Sequence, residues 1–121
     1  MIAVLFEVHP KPGCEAAYLD LAAALKPLVE KVDGFISVER FRSVNPEGKI
    51  LSLSLWRDEN AVVRWREVYE HGIAQRKGAF ELFENYRIRV FNIDLVRDYG
   101  MTERSQAPQQ LDRPGRSGVY L

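Results

Sequence analysis

Cysteine is almost missing from this chain. Cys14 is the single one in 121 residues, so no internal disulfide can form and a reducing cytoplasm is the expected location. Histidine is nearly as scarce. His9 and His71 are the only two, and with Cys14 they match no zinc-ligand spacing, so no structural metal is expected. No apolar run approaches the roughly 20 residues of a membrane span. The opening "MIAVLFEVHPKPG" has no positive leader and alternates into Glu7 and His9, which reads as a strand and not a signal peptide. Neither sign of charge dominates. Lys+Arg and Asp+Glu each total 17 and are interspersed, leaving no basic block to neutralise phosphates, so nucleic acid is not an expected partner. Gly-rich phosphate loops, a Ser-His-Asp order and paired catalytic carboxylates are absent as well.

Hydrophobic residues supply 46% of the chain, enough for one globular domain with a single sheet and two or three helices. "IAVLFEVH" (2–9) is β-branched and aromatic and stops at a "PKPG" turn, as a strand does. In "CEAAYLDLAAALKPLVEKVDG", Tyr18, Leu21, Ala22, Leu25, Leu28, Val29 and Val32 recur at intervals of three and four, one apolar helix face. Pro27 should bend that helix, and Gly34 should end it with a left-handed cap. "FISVERFRS" (35–43) and "ILSLSLW" (50–56) form two strands around a hairpin loop at Pro46 and Gly48. The second sets Leu51, Leu53 and Leu55 against Ser52, Ser54 and Trp56. A second helix runs from an Asp58 N-cap to about Gly72, a shorter helix or turn occupies 73–84, and "YRIRVFNIDLVRD" (86–98) is a long last strand.

The resulting order, β-α-β-β-α-β, is the ferredoxin-like α+β arrangement: a four-stranded antiparallel sheet with both helices on one face. Ile88 and Val90 then point one way while Phe91, Ile93 and Leu95 point the other. A sheet covered on one side only should be polar on its other side. Apolar residues on both faces imply a second copy of the chain, packed sheet to sheet in a twofold dimer. The domain so defined is 1–98. The tail 99–121 has no periodicity yet ends in Val119, Tyr120 and Leu121, and is expected to be an arm packing on the partner subunit.

"PKPG", "DGFISVERFRS", "LSLSLWRDENAV", "WREVYEHGIAQRKG" and "YRIRVFN", in this order and spacing, resemble the antibiotic biosynthesis monooxygenase domain family over Ile2 to Asp98. The resemblance implies a dimeric α+β barrel with a pocket between sheet and helices in each subunit. It also implies one of two activities: oxidation of phenols to quinones by molecular oxygen without metal or flavin, or haem degradation. Quinone-forming relatives use an Asn and a Trp near the start of the second helix and a Tyr two turns later. Trp65 matches the Trp. His71 stands at the Tyr position, and an imidazole titrating near pH 6.5 can move the same proton. Asn60 is the nearest candidate for the Asn, although Ala61 occupies the aligned position. Haem-degrading relatives use an Asn in the first strand, where this chain offers Glu7 and His9, so haem is the weaker expectation.

The candidate catalytic residues are therefore His71, Trp65 and Asn60. Tyr69 shares a helical face with Trp65, Arg40 could hold an oxyanion, and Trp56 closes its strand; these three are the candidate substrate contacts. Each also has a structural explanation. Trp65 and Tyr69 could simply fill a core, His71 could sit at a helix C-terminus that favours positive charge, and Arg40 could pair across strands. Two function classes follow: a cofactor-independent oxygenase for a small phenolic, quinol-like compound, or a dimer that binds such a molecule without turnover.

Overall fold

The computed structural model describes residues 1–45, 48–74 and 79–101, the side chains of 71–74, 79 and 80 excepted. The expected arm beyond residue 101 and the loop residue Pro46 lie outside that range. Strand β1 (Ile2–Pro10) leads to helix α1 (Glu15–Glu30), then β2 (Phe35–Arg42), β3 (Ile50–Trp56), helix α2 (Glu59–Ala74), a short 3-10 turn (Ala79–Leu82) and β4 (Phe83–Asn92). The four strands form one antiparallel sheet in the order β2-β3-β1-β4, the ferredoxin-like topology. Among the described residues no helix is long and apolar enough to cross a membrane.

Local chemistry explains the boundaries. Gly13, at φ +81°, turns the chain out of β1, and Glu15 places a negative charge in the first turn of α1, where the helix dipole favours it. Asp58 caps α2 as expected, its Oδ1 accepting the Ala61 N–H at 2.9 Å. Two expectations are corrected. Helix α1 runs through Pro27 and ends at Lys31, a cap in right-handed conformation, so Gly34 does not cap it. Gly34, at φ +95°, instead lets the start of β2 pass close against α2. The last strand ends at Asn92, short of residue 98, because its partner β1 runs out: Ile2 faces Asn92, and the Ile93 N–H reaches only the Met1 carbonyl.

Register decides what each face carries. Ile2, Val4, Phe6 and Val8 of β1 face the helices, aligned with Trp56, Ser54, Ser52 and Ile50 of β3. Leu51, Leu53 and Leu55 therefore lie on the side away from the helices, with Leu5, Phe41 and Phe91. Beneath the helices the core is split. One buried cluster holds Ile2, Val29, Trp56 and Ala61, and the other holds Val8, Tyr18, Ile50 and Phe83. Between them β3 presents Ser52 and Ser54, side chains too small to close the gap.

Candidate functional site

That gap is a cavity of about 250 Å³ between the sheet and both helices. Its floor is two rows of residues across the sheet. Arg40, Ser52, Phe6 and Ile88 are aligned on successive strands, and Val38, Ser54, Val4 and Val90 form the neighbouring row. Helix α1 closes it with Tyr18, Leu21, Ala22, Leu25 and Val29, and α2 with Val62, Trp65 and Tyr69. The intervals of three and four that mark each apolar helix face aim these side chains inward.

The walls are mostly aromatic. Trp65 and Tyr69 meet edge to face with ring centroids 6.0 Å apart, one turn apart on α2. Tyr18 stands edge-on to Phe83 at 5.5 Å, and Phe83 in turn to Phe6 at 5.9 Å. Burial pushes the Tyr69 hydroxyl pKa above its ordinary value, with the neighbouring phenols Tyr18 and Tyr86 adding to the shift. Tyr69 therefore remains a neutral hydroxyl at physiological pH.

Polar groups gather at the β2–β3 side. Trp56 is 1% exposed, and its indole N–H donates to Ser54 Oγ at 2.9 Å. Arg40 projects from β2 into the cavity wall, and its Nε is buried without a hydrogen-bond partner among the described residues. Such an orphan calls for an explanation, since an unsatisfied buried donor costs about 1–3 kcal/mol. Lys26 and Arg66 also line the cavity, and no carboxylate among the described residues does. No group of three or more His, Cys, Asp or Glu side chains among the described residues is placed to hold a metal ion.

Of the residues singled out from sequence, Trp65, Tyr69, Arg40 and Trp56 are brought together around this one cavity. Asn60 is exposed in the first turn of α2 and outside the wall; its neighbour Ala61, fully buried, takes the inward position. His71 belongs to the last turn of α2, with its side chain outside the described residues. Ser52, Ser54, Lys26 and Arg66 were not singled out. The signal for the serines was available: small polar residues on alternate positions of a strand leave room wherever that face is covered.

The profile of the family described as antibiotic biosynthesis monooxygenase matches residues 1–77. A Pyricularia oryzae protein named "Jasmonate monooxygenase ABM" is 46% identical over 90 residues, covering 74% of this chain. The chain spans only 42% of that relative's length. An uncharacterized Bacillus subtilis protein, YqjZ, is 30% identical over 78% of this chain and 81% of its own. Among solved structures, Rv0793 from Mycobacterium tuberculosis superposes with a TM-score of 0.67 at 21% identity, covering 79% of this chain and 98% of that one. SnoaB from Streptomyces nogalater, a cofactor-independent oxygenase, gives 0.64 at 13% identity over 78% and 94% of the two chains. At these identities the structural likenesses establish the fold.

Proposed function

The chain belongs to the antibiotic biosynthesis monooxygenase family, and on that premise we propose that it oxidises a small phenolic, quinol-like compound with molecular oxygen and no cofactor. The observation that carries this reading is the cavity that interrupts the core, walled by Trp65 and Tyr69 and held open by Ser52 and Ser54. At about 250 Å³ it falls just below the usual ligand cavities of roughly 300 to 1,000 Å³, and so suits a compact substrate. The Pyricularia relative's name supports the oxygenase class, and the SnoaB likeness supports a reaction without cofactor.

The chemistry needs no external reductant. A phenol with a free ring C–H and one O2 give a quinone and one water: one oxygen replaces the ring hydrogen, the other leaves as water with the ring and hydroxyl hydrogens, and the phenol supplies all four electrons that O2 takes up. In this proposal His71 takes the phenolic proton and returns it to the peroxide that forms on the ring carbon. Trp65 and Tyr69 orient the ring and keep bulk water away, and Arg40 supplies the positive charge that an anionic group on the substrate requires. The protein acts as a homodimer in the cytoplasm, with outer sheet faces joined.

One placement favours a second reading, a dimer that binds without turnover: Asn60, the nearest candidate for the Asn of the quinone-forming relatives, is outside the cavity wall. Oxygen uptake with substituted hydroquinones separates the two. The oxygenase reading expects uptake by the wild type, reduced roughly 10²-fold or more in His71→Ala, the usual weight of one general base, and reduced in Trp65→Phe. Uptake by the wild type that both variants match removes these residues from the mechanism, whereas binding of the same compounds without uptake leaves the binding dimer.

A further inference from the structure

We infer that the substrate carries a permanent carboxylate, which docks at Arg40 and Ser52 while the apolar body lies toward β1 and β4. This rests on the reading above that the cavity receives a substrate, and goes beyond it by naming a second functional group.

The first ground is the polarity gradient of the floor. Along one aligned row the residues change from Arg40 on β2 and Ser52 on β3 to Phe6 on β1 and Ile88 on β4. The neighbouring row repeats the trend, with Ser54 on β3 giving way to Val4 and Val90. Strands lie about 4.8 Å apart, so the gradient extends over roughly 14 Å. A ligand matching it has one polar end and one apolar end.

The second ground is charge. Lys26, Arg40 and Arg66 are the ionic side chains among the described residues that line the cavity, and all three are cations. None of them forms an ion pair with a described residue. A phenol, with a pKa near 10, enters neutral at pH 7 and brings no charge to meet them. A carboxylate enters ionised. The third ground is Arg40 itself, whose Nε is buried without a hydrogen-bond partner among the described residues. A carboxylate in the cavity would pair with the Arg40 guanidinium that lines it, and guanidinium-to-carboxylate bonding is the strong, directional kind that Arg favours. The hydroxyl of Ser52, aligned with Arg40, can donate to the same head group.

The test is calorimetric titration of the full chain, under nitrogen, with naphthalene-1-acetate and with its isosteric amide. The wild type should bind the acid about tenfold or more tightly than the amide, the weight of one charge-assisted hydrogen bond. Arg40→Gln should remove that preference while leaving amide affinity within about twofold, which also shows that the cavity is intact. Arg42→Gln, outside the cavity, should leave both affinities unchanged. Equal affinity for acid and amide in the wild type overturns the inference, as does a preference that survives in Arg40→Gln or no binding of either probe at millimolar concentration. Because the titration needs no turnover, its result is independent of the oxygenase reading. Acid preference without oxygen uptake from any phenolic acid would sink the oxygenase alone, and uptake from uncharged phenols without acid preference would sink only this inference.

Discussion

A Cβ built on Gly34 would stand 2.6 Å from the Cβ of Ala61, closer than two carbons can approach. The backbone just before β2 thus packs directly on the Ala61 methyl in the first turn of α2, and the Gly34 carbonyl accepts the Arg57 N–H at 2.7 Å. Gly34→Ala should therefore destabilise twice over. A left-handed conformation costs an L-residue about 1–2 kcal/mol, and overpacking adds about 1–3 kcal/mol. A loss of roughly 2–5 kcal/mol in urea unfolding is expected. Adding Ala61→Gly should recover the overpacking part only, so that full recovery would show the backbone conformation to be costless.

Above the same junction, Arg57 grips Asp33 with two parallel bonds, Nη1 to Oδ1 at 3.1 Å and Nη2 to Oδ2 at 3.2 Å, while its Nε reaches Asp58 at 3.1 Å. The hydrogen bond and charge of Arg57 hold the Asp33 carboxyl below its ordinary pKa. For Asp58 the Ala61 N–H is the larger cause and Arg57 the next. Both carboxyls titrate lower folded than unfolded. Their stabilisation is accordingly present above the ordinary carboxylate pKa and is lost as pH falls through the depressed folded values. Urea midpoints should hold level above about pH 5 and decline below about pH 4. Arg57→Gln should make that decline shallower. An unchanged acid slope in the variant would show that these exposed pairs do not carry the pH dependence.

The order of strands and helices was legible because each segment states its own period, and Asp58 and the Trp65–Tyr69 pair were legible because caps and i,i+4 neighbours are local. The orientation of β3 was not. "ILSLSLW" shows two faces but does not say which one the helices cover, and hydrophobicity alone would turn the leucines inward. Pairing with β1 does the reverse: Ser52 and Ser54 face the helices, and the leucines face away. The cavity follows from that long-range choice, as does the inward position of Arg40 opposite Ser52. Gly34 was misassigned for a related reason. Its positive φ was foreseeable, but the approach of Ala61, 27 positions on, depends on how α2 docks.

Arg40 offers a stability test with an unusual sign. A residue kept for folding loses stability when truncated, whereas one kept for a ligand sits unsatisfied until the ligand arrives. If the inferred carboxylate docks there, Arg40 belongs to the second class, its Nε being buried without a partner among the described residues. Arg40→Met keeps the length and apolar stem while removing the orphan donor. It should stabilise the unliganded protein by up to about 1–3 kcal/mol, seen as a higher melting temperature. The same variant should gain less from added naphthalene-1-acetate than the wild type does. A lower melting temperature without ligand would mean that Arg40 serves the fold and not a bound anion.

The face of the sheet away from the helices sets the final expectation. Leu53 lies at its middle, paired with Leu5 on one side and Glu39 on the other, between Leu51 and Leu55 along its own strand. Phe41 and Phe91, 44% and 45% exposed in the single chain, extend the apolar surface to both edge strands. Stable association buries roughly 1,200–2,000 Å² in total, which a four-stranded face of this kind can supply. Light scattering at micromolar concentration should therefore give twice the chain mass for the wild type. Leu53→Glu should give a monomer, since two such carboxylates would meet near the twofold axis in an apolar contact. Val63→Glu, on an exposed position of α2, should stay dimeric and controls for the added charge. A wild-type monomer, or a dimer indifferent to Leu53→Glu, would mean that the sheet face is not where two copies join.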